Sequence, residues 1–62
     1  MSKQILYVED NPNNVLLVQR IVNAEGHQLL VARDATAGWE TAVTHHPDLI
    51  LMDLHLPGEL NG

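Results

Sequence analysis

Three short runs of apolar residues, each of a length that suits a strand, divide the 62-residue chain. Ile5-Leu6-Tyr7-Val8, Leu29-Leu30-Val31-Ala32 and Leu49-Ile50-Leu51-Met52 are continuous rather than alternating. A run without alternation is the mark of a strand buried on both faces, as in a parallel sheet. Parallel strands cannot be joined by hairpins and need crossovers, usually helical. Between the runs the spacing supplies them. From about Asn13 to Glu25, Val15, Val18 and Val22 form one stripe at helical period, with Leu17, Ile21 and Ala24 on an adjacent one. Asn11 followed by Pro12 reads as an N-cap with proline at the first helical position. Gly26 stands where a left-handed residue ends a helix. A second helix is expected to start at an Asp34 cap, bury Trp39, Ala42 and Val43, and stop before Pro47. Gly38 inside it costs about 1 kcal/mol relative to alanine unless close packing requires it. The expected order is βαβαβ, an α/β unit with right-handed crossovers.

So short a chain buries only a marginal core, and without cysteines it has neither disulfides nor thiolate metal sites to reinforce it. Aromatics are limited to Tyr7 and Trp39, so the core must be aliphatic. The third run is as apolar as the first, yet nothing after it covers its outer edge. An exposed strand edge pairs with other chains, so a homo-oligomer formed through the third strand is expected. The sequence reads as part of something larger. Three basic and eight acidic residues give a formal charge of −5, which argues against direct nucleic-acid binding and against an anionic membrane surface. The apolar stretch after Met1-Ser2-Lys3-Gln4 is too short for a signal peptide or a membrane span, so a cytoplasmic location is the expectation.

Chemistry concentrates at strand ends. Glu9-Asp10 closes the first run and Asp53 the third. In open parallel sheets, ligands bind beyond the carboxyl ends of the strands, where strand order reverses. If the first and third strands are neighbours, with the second beyond the first, three acids share one crevice. Such crowding requires a cation or a shared proton. Magnesium, a hard ion that keeps several waters beside one or two carboxylates, suits the set. The competing reading is that these acids are solvated loop residues.

Ile5-Leu6-Tyr7-Val8-Glu9-Asp10-Asn11-Pro12 and Asp48-Leu49-Ile50-Leu51-Met52-Asp53-Leu54-His55-Leu56-Pro57 resemble the two signature segments of bacterial response-regulator receiver domains. Gly26, Asp34 and the Pro47-Asp48 pair also fall where such domains usually carry them. The resemblance implies the βαβαβ half of a flavodoxin-like doubly wound parallel sheet, strand order 2-1-3. Residues 1–62 would then be a truncated receiver domain with its first three strands and two helices. It further implies that Asp53 accepts a phosphoryl group from a histidine kinase or histidine phosphotransfer protein. Asp10, Asp53 and the backbone carbonyl of His55 would ligate Mg²⁺, and Glu9 would contribute through a water. Beyond assisting its own phosphorylation, no enzymatic activity is implied. The hydroxyl and lysine that receivers carry after their fourth and fifth strands have no counterpart, since the only lysine is Lys3. The loop after Pro57 is one residue longer than usual.

Two further readings compete. The half-domain could act as a self-assembling structural or interaction unit without signalling activity. A nucleotide- or flavin-binding half is disfavoured, because Glu9-Asp10-Asn11-Pro12-Asn13 lacks the glycines that let a backbone approach phosphates. Of the four histidines, His45 and His46 are adjacent and point about 100° apart on a helix, so they do not share an ion. With His27 they read as solvated residues near helix ends, and the His55 side chain as facing solvent. Asn13 and Asn14 read as helix-start residues, either of which could reach the crevice and influence the phosphate site.

Overall fold

A computed structural model describes residues 2–52 of the chain. The order is β1 (Gln4–Val8), α1 (Pro12–Ala24), β2 (Gln28–Ala32), α2 (Ala35–His45) and β3 (Leu49–Met52), the expected βαβαβ. The strands form one parallel sheet in the order β2-β1-β3. Register is tight. Ile5 lies between Leu29 and Leu49, and Val8 between Ala32 and Met52, so the carboxyl ends of the three strands are level.

Strand alternation sorts the side chains onto two faces. Leu6, Val8, Leu30 and Ala32 face α2, where they pack with Ala37 and Ala42 into the small core. Ile5, Tyr7, Leu29 and Val31 are on the other face, with α1 against β2. Leu6 and Val8 are fully buried because β1 is the central strand and is covered by helix on the α2 face.

Both helices begin as the residues dictate. The Asn11 side chain accepts from the Asn13 N–H at 2.9 Å, ahead of Pro12 at the first helical position. The Asp34 side chain accepts from the Ala37 N–H at 2.8 Å. After α1 the chain turns at Gly26, φ 79°, a conformation that glycine adopts without steric cost. After α2 it is His46 that takes the left-handed position, φ 51°, with its N–H donating to the Ala42 carbonyl at 2.9 Å. The helix thus ends before Pro47, as expected.

Two expectations about faces are corrected. Trp39 and Val43 are not on the inner face of α2: they are 71% and 51% exposed. The cause is Gly38, which is buried against β1. A Cβ built there would stand 2.8 Å from Val8 Cγ2 and 3.4 Å from Cγ1. This close approach turns the Gly38–Ala42 stripe inward, and Trp39 and Val43 lie one residue, about 100°, further round. On α1, Val15, Val18 and Val22 point inward, whereas Leu17 and Ile21 are exposed along the adjacent stripe. A third correction concerns His27. It is half-buried, and its Nδ1 accepts from the Lys3 N–H at 3.0 Å, helping to join β1 to β2 at their amino ends. β3 is held at the same end by Asp48, whose carboxylate accepts from the Gln4 N–H at 2.8 Å while its own N–H donates to the Gln4 carbonyl at 2.7 Å. Every residue of β3 is exposed, and among the described residues no strand pairs with its outer edge. Among the described residues, no helix is long and apolar enough to cross a membrane.

Candidate functional site

The sheet order places the reversal point between β1 and β3, so a site built by this fold belongs beyond the carboxyl ends of those two strands. From β1 the residues that emerge there are Glu9 and Asp10. They differ sharply. Asp10 is exposed, whereas Glu9 is 2% exposed, the one buried charged residue of the described part.

Burying a carboxylate is costly unless its oxygens are hydrogen-bonded, and Glu9 meets that condition through neutral donors. Its Oε1 accepts from the Tyr7 hydroxyl at 2.8 Å and, at the long end of the range, from Asn14 Nδ2 at 3.4 Å. Its Oε2 accepts from the Asn11 N–H at 3.2 Å. The Glu9 N–H donates to the Ala32 carbonyl at 2.8 Å, which carries the β1–β2 ladder past the end of the strand and fixes the backbone behind the carboxylate. Among the described residues no buried side-chain polar atom lacks a partner.

Local sequence explains the arrangement. Tyr7 and Glu9 are two apart on a strand and therefore share a face. Asn11 is the N-cap of α1 and Asn14 its third helical residue. In a capping box the third residue reaches back to the N-cap N–H. Here Glu9 takes that N–H instead, and Asn14 turns its amide to Glu9. The negative charge also stands at the amino end of α1, where the helix dipole favours it.

Of the residues that sequence reasoning singled out, Glu9 and Asp10 are brought together at the end of the central strand. Asp53 and His55 lie outside the described residues. Met52, directly ahead of Asp53 in the chain, pairs with Val8, directly ahead of Glu9. Asn14 does reach the acidic end of β1, but by way of Glu9, and Asn13 is a helix-start residue. Tyr7 was legible only as an aromatic in an apolar run. Its two-residue spacing from Glu9 was the available signal for its role. Among the described residues, no three His, Asp or Glu side chains are gathered so that they could hold a metal ion. The carboxylates that close β1 offer only oxygens, and among the described residues three donors occupy about three of the roughly four lone-pair positions of Glu9. Such a set fits a hard cation.

A hollow of about 450 Å³ opens beside these residues, lined by Glu9, Asp10, Pro12, Val15, Leu16, Val31 and Arg33. It lies on the β2 side, against α1, not at the reversal point between β1 and β3. Its walls are mostly aliphatic, so the chemistry is assigned to the strand ends and not to this space.

Comparison with known proteins agrees with this geometry. The family model of the response regulator receiver domain matches residues 5–62. The polar-differentiation response regulator DivK of Brucella ovis is 40% identical over 62 residues, as is that of Brucella abortus (strain S19), and that of Brucella anthropi is 39% identical. Each alignment covers all of this chain and 50% of the relative, so the chain spans about half the length of the curated relatives it matches. A parallel 2-1-3 sheet, an acidic pair closing its central strand and a family match over nearly every residue lead to one conclusion: the chain belongs to the response regulator receiver domain family of two-component systems.

Proposed function

We propose that the chain is the phosphoacceptor part of a two-component phosphorelay, with Asp53 as the acceptor. Residues 1–62 then correspond to the first three strands and two helices of a receiver domain. The observation that carries this reading is the acidic pair Glu9-Asp10 at the end of β1, level with the end of the strand that runs directly into Asp53.

A carboxylate oxygen of Asp53 attacks the phosphorus of a phosphohistidine on a histidine kinase or phosphotransfer protein. The P–N bond breaks, and its electron pair returns to the imidazole nitrogen of the donor. Unaided, the carboxylate and the phosphoryl oxygens repel each other. Bound Mg²⁺ would neutralise charge on the transferring oxygens. Asp10, Asp53 and the His55 carbonyl would hold it, with Glu9 acting through a water. The chain's own work is positioning, as expected of a family whose members are generally not enzymes in the ordinary sense. Beryllofluoride with Mg²⁺, followed by NMR, tests the reading. Amide shifts around Asp10 and Asn11 are expected in the native chain and absent in Asp53→Asn. Identical spectra for the two would overturn it.

A second reading has its own observation, the exposure of all four residues of β3 at a sheet edge. Pairing of two copies across this edge would satisfy the free side of the strand and shield Leu49, Ile50, Leu51 and Met52. Such a homo-oligomer is compatible with the acceptor site, because the edge and the carboxyl ends of the strands are different surfaces.

A further inference from the structure

The acidic pair is not two equivalent carboxylates, and the difference comes from side chains that the phosphoacceptor chemistry does not itself require. Glu9 is buried and already engaged by three donors from two elements, one of them its strand neighbour Tyr7 and two from the start of α1. We infer that Tyr7 and Asn14 are positioning residues, which fix the Glu9 carboxylate so that Oε2 is the oxygen turned to the metal's water shell. The inference rests on the phosphoacceptor reading and gives Glu9 its specific part in it.

Both residues act on Oε1. The Tyr7 hydroxyl donates at 2.8 Å, an ordinary hydroxyl distance, and Asn14 Nδ2 adds a second donor at 3.4 Å. An oxygen with two donors has its lone pairs filled. Among the described residues Oε2 receives one donor, the Asn11 N–H at 3.2 Å, so of the two oxygens it has the capacity for a further bond. Rotating the carboxylate would break the tyrosine bond, and with Glu9 only 2% exposed bulk water does not readily replace it. The carboxylate is therefore held in one orientation before any cation arrives. Groups that orient the outer shell of a metal site change its affinity when they are lost, and Glu9, acting through a water, belongs to that shell.

Tyr7→Phe and Asn14→Ala each remove one donor without removing a carboxylate. Alanine is also the better helix former at position 14. The 62-residue chain and both variants would be titrated with MgCl₂ and followed by the amide signals of Asp10 and Asn11. A urea midpoint would be measured for each in EDTA. The expected result is a weakening of Mg²⁺ affinity by about threefold in Tyr7→Phe, less than the roughly tenfold that follows loss of a partner of a direct ligand, and a smaller weakening in Asn14→Ala. The weakening should persist at a urea concentration where all three are folded. Variants that titrate like the native chain, whatever their urea midpoints, would show a purely structural contact and overturn the inference. If Tyr7→Phe did not fold, Asn14→Ala would decide alone. Amides of the native chain that ignore Mg²⁺ would overturn the metal assignment itself, and the inference with it.

Discussion

At the residue scale, two positions carry more than their side-chain type suggests. Gly38 is the point of closest approach between α2 and β1, and Val8, the neighbour it would strike, is fully buried and stiff at its branched Cβ. Gly38→Ala would gain about 1 kcal/mol of helix propensity and lose about 1–3 kcal/mol to overpacking. The expected outcome is a net destabilisation of about 1 kcal/mol in urea unfolding, despite the usual benefit of alanine in a helix. Glu9 is the other. Glu9→Ala removes the acceptor shared by the Tyr7 hydroxyl, the Asn11 N–H and the Asn14 amide, at a cost of about 1–3 kcal/mol, and should lower the urea midpoint in the absence of any metal. Asp10→Asn, at an exposed position, should leave that midpoint near its native value and act only on the Mg²⁺ titration. The sequence pointed to Gly38 as a weak point but not to its neighbour, because which atoms approach a glycine is set by the tertiary path. It showed Glu9 as an acid at a strand end, while its burial depends on α1 folding back over it.

At the element scale, the ends of helices and strands were the most legible features, since each depends on residues adjacent in sequence. Asn11-Pro12, Gly26 and Asp34 do what their local chemistry requires. Asp34→Ala, which removes the acceptor for the Ala37 N–H, should cost about 1 kcal/mol, readable as a fall in helicity and in thermal midpoint. The inner face of α2 was less legible. Several stripes of that helix are apolar, and period alone does not choose between Gly38–Ala42 and Trp39–Val43. The choice falls to the stripe with the smallest side chains, because the helix can then sit closest to the sheet. The end of α2 was read correctly from Pro47, but not the left-handed His46 that makes the turn, a conformation in which histidine is enriched among non-glycine residues.

At the scale of the whole molecule, the parallel sheet follows from three unbroken apolar runs separated by helical spacing, whereas the central place of β1 was implied by the resemblance to receiver domains. The sequence led to an exposed outer edge on the third strand, but equally apolar runs do not show how far the side chains of each are covered. β1 is enclosed, whereas β3 leaves Leu49, Ile50 and Met52 about half exposed. If copies pair across that edge, the mass measured by light scattering should rise with concentration, and Leu51→Lys should suppress the rise. A well-folded monomer across the micromolar range would remove the pairing. The acceptor assignment meets its most direct test in acetyl phosphate treatment with Mg²⁺, with mass spectrometry locating the adduct. The expected result is a phosphoryl group on Asp53 that is lost in Asp53→Asn and when EDTA replaces the metal. An adduct on another residue, or none in a chain whose Asp10 amide responds to Mg²⁺, would contradict it.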